Sequence, residues 1–259
     1  QSSNIARNIC LSSVLGEVVP GTTVDRQCGS GQQAMHFAAQ GVLSGTQDLV
    51  IAGGVESMSQ VPIGANIIDG YKAEHGLPYG KKMSERYPGV QFNQFAGAEM
   101  LAHKYELTQN ELNAFAFDSH VKAKRAVLEG RFKDEIVAIQ IELEDGTTES
   151  HEQDEGIRMD ATLGAIAGLQ PLQENGLLSA ANASQICDGA AAVMIANGAT
   201  CKRLGLKPLA RIVAMSVIGS DPVIMLEGPI PATKKVLEKA NLSVDDIDLF
   251  EVNEAFGSV

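Results

Sequence analysis

Hydrophobic positions near the start of the chain follow two different spacings. After Cys28, small and apolar residues recur every three or four positions as far as Leu43, which predicts an amphipathic helix. Residues 20–26 are extended in character and residues 48–52 form an apolar run, and both predict short strands. Strand, helix and strand in this order form a βαβ unit, so we expect the two strands to be parallel and buried on both faces.

The middle of the chain has a different pattern. Between residues 58 and 89, glycines and prolines punctuate a long stretch that has no regular apolar period. Thr108 and Glu111 then have the spacing of a capping box, and apolar residues follow at helical spacing as far as Gly130. Asp145-Gly146 between two short runs predicts the turn of a β-hairpin.

A strand-and-helix pattern returns in the last part of the chain. The elements predicted there are a buried strand at 190–196, a strand at 209–217, a helix at 231–242 and a strand at 247–252. The whole pattern therefore predicts an α/β protein with a polar insertion in its middle.

One cysteine occupies a place suited to a nucleophile. Cys28 lies in the run Val24–Gly31, at the junction of the predicted strand and helix. There the free N–H groups and the positive end of the helix favour a negatively charged sulfur. Gly29 and Gly31 allow a sharp turn and close approach of a substrate. A lone cysteine is more often a packing residue, so its surroundings in the sequence decide between the two interpretations.

Three further blocks follow this motif. They are Ala52–Ser59, Ala180–Ala192 and Val252–Gly257. In this order the four blocks resemble the thiolase family, and the resemblance covers essentially the whole chain.

The resemblance implies a fold and a domain plan. Thiolases are α/β proteins built from two similar βαβαβ halves with an inserted loop domain. Carried onto this chain, the N-terminal half is residues 1–57 continued at 183–207, and the loop domain is residues 58–182. Residues 208–259 are the start of a second half that is incomplete.

The resemblance also implies a chemistry. In thiolases the cysteine of the first motif attacks an acyl-CoA and carries the acyl group as a thioester, so that a 3-ketoacyl-CoA is joined or split. Cys28 matches that nucleophile. Asn253 is implied to hold a water or orient a donor in an oxyanion hole. Ser184 matches a residue that contacts the pantetheine arm, and Met58 matches a residue of an active-site loop.

Each of these three assignments has a structural alternative. Asn253 fits a strand-end turn or a helix cap, Ser184 a loop hydroxyl bonded to its own backbone, and Met58 a gap filler in a core.

Acyl specificity is indicated by a departure from the family pattern. Asn93 and Gln94 stand where short-chain biosynthetic thiolases tend to have a His-Met pair, which makes them candidate substrate contacts. The departure favours a longer or bulkier acyl chain, of the kind handled by relatives that degrade lipids or sterols.

Two family elements are not found in the 259 residues. These are a Gly-His-Pro motif, whose histidine activates the nucleophile, and a later cysteine that acts as acid and base. Because the chain also starts at Gln1, we expect it to be truncated and inactive on its own. A non-catalytic acyl-CoA-binding or lipid-binding protein and an isolated structural fragment remain alternatives.

Composition limits the partners. A net charge of −12 argues against nucleic-acid binding, which needs a basic face. Four cysteines without disulfide-like density indicate a reducing compartment, taken as the cytoplasm. The sequence shows neither the ligand spacing of a zinc site nor an apolar run long enough to span a membrane. We expect CoA and acyl-CoA as substrates, no cofactor, and, from the resemblance, a homodimer or homotetramer. Lys81, Lys82 and Arg86 are a candidate cation cluster for CoA.

Overall fold

The computed structural model describes residues 3–259, so the expectation about Gln1 lies outside the described residues. The helices are α1 Ile5–Leu11, α2 Ser30–Leu43, α3 Ala65–Lys72, α4 Lys81–Arg86, α5 Gln94–Lys104, α6 Gln109–Leu128, α7 Leu163–Ala167, α8 Gly198–Leu204 and α9 Pro229–Ala240. The strands are β1 Leu49–Ser57, β2 Ile139–Glu142, β3 Thr148–His151 and β4 Asp188–Ala196. Short 3₁₀ turns lie at Gly16–Val18, Ala180–Asn182 and Val244–Asp246.

The chain forms two compact units. The first takes the chain up to Gly80 together with Ile186–Met215, and the second takes Lys81–Gln185 together with Ser216–Val259. None of the helices in the described part of the chain combines the length and apolar character needed to cross a bilayer.

The first unit is built on the pair β1 and β4. The two strands run antiparallel, with the register from Leu49 opposite Ala196 to Ser57 opposite Asp188, and α2 packs against both. The predicted helix after Cys28 is therefore confirmed, whereas the prediction of parallel strands in a βαβ unit is wrong. An apolar run indicates a strand but does not specify its partner, and here the partner of β1 lies far along the chain instead of before α2.

The predicted strand at 20–26 is also wrong. The side-chain amide of Asn4 donates to the carbonyl oxygen of Gly21 at 2.6 Å, and the Thr23 hydroxyl donates to the Asn4 side chain at 3.0 Å. Polar contacts to the start of α1 thus take the place of a sheet ladder. A Cβ at Gly21 would lie 2.5 Å from the backbone nitrogen of Arg7, so this close approach requires glycine.

The faces of the β1–β4 pair are more exposed than the sequence predicts. Ala52 is buried, but Ile51 and Val193 keep 46% and 45% of their surface exposed. Burial on both faces is therefore wrong for the described residues.

The second unit has the principal apolar core. Its buried residues are Ala98 and Ala102 from α5, Leu112 from α6, and Leu178 and Phe256 from loops. The predicted helix and its capping box are confirmed. The Thr108 hydroxyl accepts from the Glu111 amide, and the Glu111 carboxylate accepts from the Thr108 amide at 2.8 Å. The hairpin prediction is confirmed as well, because β2 pairs antiparallel with β3 and Gly146 has a φ of +81°.

The last part of the chain agrees with the sequence for its helix and not for its strands. The helix predicted at 231–242 is α9, but 209–217 and 247–252 form no strand in the part of the chain that the structure describes. Strand formation needs a neighbouring strand, and the backbone here uses other partners. The Val217 carbonyl oxygen accepts from the Lys235 ammonium at 2.9 Å, for example. Further upstream, the stretch at 58–89 contains α3 and α4 and is not irregular throughout.

Candidate active site

Cys28 lies in a tight turn before α2. Gln27, immediately before it, has a φ of +50°, a backbone region that non-glycine residues seldom adopt. The Gly29 amide donates to the Arg26 carbonyl oxygen at 3.2 Å, and the Ser30 amide donates to the Gln27 carbonyl oxygen at 3.0 Å. The turn leaves Cys28 exposed to solvent. Residues held in rare conformations are enriched at functional sites, which makes this turn a candidate.

The end of α2 beside the cysteine has an open positive pole. The N-cap residue is Gly29, and within residues 3–259 no side-chain hydrogen bond caps the helix there. The first amides of α2 therefore have no side-chain acceptor, which leaves partial positive charge next to Cys28.

Hydrogen bonds from Arg26 join the turn to α2. The Arg26 amide donates to the Ser30 hydroxyl oxygen at 2.8 Å, and the Arg26 guanidinium donates to the Gln33 side chain at 2.5 Å. One turn further along α2, burial and, to a smaller extent, the Arg26 charge lower the pKa of His36. The neutral imidazole is therefore favoured there.

Met58 lies directly after β1 and is half-buried. The residues on either side of it are held by Asp188, at the start of β4. The Asp188 carboxylate accepts from the Ser57 hydroxyl at 3.2 Å, from the Ser59 amide at 2.9 Å and from the Ser59 hydroxyl at 2.5 Å. The bonds from Ser59, followed by the one from Ser57, lower the pKa of Asp188.

Ser184 lies in the second unit and is bonded to the segment that contains Asn253. The Ser184 amide donates to the Ala255 carbonyl oxygen at 2.9 Å, and the Ser184 hydroxyl donates to the Glu254 carbonyl oxygen at 3.0 Å. Two residues earlier, the Asn182 carbonyl oxygen accepts from the Gly257 amide at 2.7 Å. The two sequence blocks that contain Ser184 and Asn253 are therefore joined through their backbones.

Asn253 is exposed and does not follow a strand, because residues 247–252 form none. Its carbonyl oxygen accepts from the Ala255 amide at 2.9 Å. The neighbouring Glu254 carboxylate accepts from the Ser119 hydroxyl of α6 at 2.7 Å, which fixes this segment to the helix.

Asn93 and Gln94 begin α5. The Asn93 side-chain oxygen caps the helix by accepting from the amides of Phe95 at 2.8 Å and Ala96 at 3.4 Å, and Gln94 is half-buried. The Phe95 ring meets the Phe256 ring edge-on at 5.4 Å between centroids. The start of α5 therefore contacts the segment that contains Asn253.

The sequence-predicted residues fall into two groups. Cys28 and Met58 belong to the first unit. Asn93, Gln94, Ser184 and Asn253 belong to the second, where their neighbours in the chain connect them: Phe95 meets Phe256, and Ser184 bonds to Glu254.

A cationic groove in the second unit was missed by sequence reasoning. It has a volume of about 590 Å³ and lies between α6 and residues 158–161. His120, Lys124, Arg125 and Arg158 line it together with the acidic Glu129 and several apolar side chains. The Lys124 ammonium donates to the Met159 carbonyl oxygen at 2.6 Å. Helical spacing along α6 is the only sequence signal for the groove, and Arg158 comes from a separate loop. Lys81, from the cluster proposed above, instead pairs with Glu85 at 3.6 Å on the surface of α4.

Two models of known protein families match this chain. The family model for the N-terminal domain of thiolase matches residues 1–199, and the model for the C-terminal domain matches residues 206–259. The chain belongs to the thiolase family. Its mixture of helices and strands is the α/β fold of that family, as the sequence blocks predict.

Individual thiolases cover the same residues. The chain is 45% identical to the steroid 3-ketoacyl-CoA thiolase FadA6 of Mycobacterium tuberculosis over 261 aligned residues, and 38% identical to a 3-ketoacyl-CoA thiolase of Idiomarina loihiensis. All of this chain aligns, and it spans 63% and 65% of those two relatives. The crystal structure of the acetyl-CoA acetyltransferase of Bacillus anthracis superimposes with a TM-score of 0.86 at 38% identity, over 99% of this chain and 66% of that one.

Proposed function

We propose that this thiolase chain serves an acyltransferase that forms or cleaves a 3-ketoacyl-CoA through an acyl group carried on Cys28. The observation that supports this most directly is the turn at Cys28: an exposed sulfur, a left-handed residue before it and an uncapped helix end after it. The names of the relatives, 3-ketoacyl-CoA thiolase and acetyl-CoA acetyltransferase, point to the same reaction.

In the proposed reaction, the Cys28 sulfur attacks the thioester carbonyl carbon of an acyl-CoA. The bond from that carbon to the CoA sulfur breaks, CoA leaves as a thiolate, and the acyl group remains on Cys28 as a new thioester. A thioester is exchanged for a thioester, so the intermediate lies close in energy to the substrate. The amides at the uncapped end of α2 are suited to stabilise the charge that develops near the sulfur.

The candidate residues of the second unit supply the proposed substrate contacts. We assign Ser184 to the pantetheine arm, Asn253 to the oxyanion or a water that serves it, and Asn93 and Gln94 to the acyl chain. Met58, directly after β1, is assigned to an active-site loop that contacts the substrate. Hydrogen bonds fasten Ser184 to the backbone beside Asn253, which supports a shared role for the two.

The cationic groove is suited to the phosphates of CoA. CoA thioesters are anionic, the protein is acidic overall, and Lys124, Arg125 and Arg158 gather positive charge in one concave place. Arg158→Gln should raise KM for the CoA substrate about tenfold and change kcat little, because a charge-assisted hydrogen bond is lost in binding. Arg203 of α8, which bonds to Thr200 and does not line the groove, is the matched control. An equal KM for Arg158→Gln and Arg203→Gln would refute the assignment.

The substrate is proposed to be a long or bulky acyl-CoA. The identity of 45% to a steroid 3-ketoacyl-CoA thiolase agrees with the Asn93-Gln94 departure from the short-chain pattern. Comparison of kcat/KM for thiolysis of acetoacetyl-CoA and of a bulky 3-ketoacyl-CoA tests this. Preference for acetoacetyl-CoA would contradict it.

Selective labelling tests the nucleophile. The protein is exposed briefly to limiting acetyl-CoA or iodoacetamide, and the modified cysteine is mapped by mass spectrometry. We expect the label on Cys28. Cys187 provides an internal control because it is also exposed, whereas Cys10 is buried and Cys201 half-buried. If exposure alone governed reactivity, Cys28 and Cys187 would be labelled alike.

The corresponding variants separate catalysis from binding. Cys28→Ser should abolish acetyl transfer, and Cys187→Ser should leave it unchanged, in the protein at the length its gene encodes. Acyl-CoA binding without turnover, unchanged in Cys28→Ala, would instead identify a binding protein.

The domain bounds, the oligomeric state and the location complete the proposal. Residues 1–57 with 183–207 form the N-terminal half, 58–182 the loop domain, and 208–259 part of the second half. A homodimer or homotetramer and a cytoplasmic location are proposed from the family resemblance and the cysteine content.

A further inference from the structure

A buried carboxylate lies on the inner face of α5. Glu99 is 7% exposed and sits on the same helix face as the core residues Ala98 and Ala102. Burial of a charge is costly unless hydrogen bonds replace the lost water. None of the four ion pairs described among residues 3–259 includes Glu99. The mechanism proposed above does not use this group.

Main-chain amides provide the missing partners. The Leu177 amide lies 3.0 Å from both carboxylate oxygens of Glu99, and the Leu178 amide lies 3.0 Å from one of them. A Cβ at Gly176 would lie 2.5 Å from the same carboxylate, so the loop passes as close to Glu99 as a glycine permits. Glu99 therefore fixes the start of the loop that leads to Ser184.

Buried hydrogen bonds continue along that loop. Ser179 is 1% exposed, and its amide donates to the Asn182 side-chain oxygen at 2.7 Å. The Asn182 side-chain amide then donates to the Asn113 side chain of α6 at 3.3 Å. The loop is thus held at both its beginning and its middle by groups that are shielded from water.

The end of the loop holds the segment of Asn253. The Asn182 carbonyl oxygen accepts from the Gly257 amide, and the Ser184 amide and hydroxyl bond to the carbonyl oxygens of Ala255 and Glu254. An unbroken series of contacts therefore runs from the Glu99 carboxylate to Ser184 and to the backbone beside Asn253.

We infer that Glu99 is a positioning residue, whose carboxylate sets the placement of Ser184 and of residues 253–257 through the loop 176–184. Glu99 acts through the loop amides and touches no reacting atom. Its consequence for catalysis rests on the proposed function, whereas its effect on the loop does not.

Amide hydrogen exchange tests the placement without an activity assay. Glu99→Gln keeps the size of the side chain but replaces one acceptor oxygen with a donor that faces other donors. We expect exchange at Leu177, Leu178, Ser184 and Gly257 to accelerate about tenfold or more. Glu111→Gln is the matched control, because Glu111 is an exposed carboxylate that also accepts from a main-chain amide, in the capping box of α6. It should accelerate exchange only at the start of that helix.

The outcome that overturns the inference is specific. If Glu99→Gln accelerates exchange at Leu177 and Leu178 but leaves Ser184 and Gly257 as in the wild type, Glu99 is only a local cap. Should Glu99→Gln fail to fold, Gly176→Ala provides the same test, because its methyl group would lie 2.5 Å from the Glu99 carboxylate and would force the loop and the carboxylate apart. Unchanged exchange at Ser184 and Gly257 in Gly176→Ala would equally overturn the inference.

Kinetics distinguish positioning from general destabilisation. Glu99→Gln should raise KM for acyl-CoA about tenfold, because the Ser184 contact serves binding, and should lower kcat as well, because Asn253 is assigned to the oxyanion. A lower fraction of folded enzyme would instead reduce kcat and leave KM unchanged, and that result would overturn a role in positioning. Absence of turnover in the wild type would refute the proposed function and leave the exchange test intact.

Discussion

Replacement of Gly97 by alanine tests the packing of α5 in the second unit. An alanine in a helix interior is ordinarily about 0.5–1 kcal/mol more stable than a glycine. At Gly97, however, the added Cβ would lie 2.7 Å from the Ile224 carbonyl oxygen and 3.3 Å from the Met225 side chain. Overpacking of this kind costs about 1–3 kcal/mol. We therefore expect a net loss of about 1–2 kcal/mol in the free energy of unfolding.

The opposing backbone has little freedom to retreat. The Met225 amide donates to the Asp221 carbonyl oxygen at 2.9 Å, and Met225 itself has a φ of +41°. Glu227 then accepts from the Lys104 ammonium at 2.5 Å and the Tyr105 hydroxyl at 2.6 Å. Both of these partners lie at the end of α5, so the helix that carries the new methyl group also holds the turn it strikes.

Urea unfolding followed by far-ultraviolet circular dichroism measures the change. The matched control is Gly164→Ala in α7, where no atom of the second unit lies within 4 Å of the added Cβ. That variant should gain about 0.4–1 kcal/mol. If Gly97→Ala were as stable as wild type or more so, the turn at residues 221–227 would be mobile enough to yield, and the argument for a rigid contact would be refuted.

Two further perturbations follow from the described contacts. Leu178→Ala removes a side chain that is 1% exposed in the core of the second unit, and should cost about 2–5 kcal/mol in urea unfolding; a loss below about 1 kcal/mol would show that the core collapses around it. Hydrogen bonds from Ser59, and to a smaller extent from Ser57, lower the pKa of Asp188. They therefore stabilise the folded protein at a pH above the ordinary carboxyl pKa, and this stabilisation is lost as the pH falls through the lowered pKa. Asp188→Asn should therefore be less stable than wild type at neutral pH, and the difference should shrink on acidification; a difference that did not depend on pH would contradict the assignment.

Local signals in the sequence predicted local structure well. The helix after Cys28, the capping box of Thr108 and Glu111, and the hairpin turn at Gly146 each depend on residues within a few positions of one another. Such short-range hydrogen bonds and turn preferences can be recognised from spacing alone.

Contacts between residues distant in the sequence could not be predicted from local spacing. The pairing of β1 with β4 joins residues more than a hundred positions apart, and no periodicity within either strand encodes its direction. The strands predicted at 209–217 and 247–252 failed for the same reason, since an apolar run becomes a strand only beside another strand.

The candidate site shows the same contrast between local and distant contacts. The place of Cys28 before α2 could be predicted from its own neighbours, whereas the bonds from Ser184 to Glu254 and Ala255 could not. The sequence contains one sign of the role of Glu99, because this charged residue lies among the small and apolar positions of α5 that form the core. A carboxylate on such a face has to find donors from elsewhere in the chain, but the sequence does not say which.

The register of β1 and β4 has a consequence for how the chain tolerates changes in length. The chain leaves the sheet at Ser57 and re-enters it at Asp188, and these two residues lie opposite each other in the ladder. Residues 58–187 are therefore an excursion that departs and returns at one point, and the Asp188 carboxylate ties its first residues down through Ser59. The entropic cost of closing such an excursion, expressed as a free energy, rises only with the logarithm of its length, by about 0.6 kcal/mol for each doubling. A change in the length of the excursion therefore costs the β1–β4 ladder little, and the core of the second unit decides where such a change is tolerated.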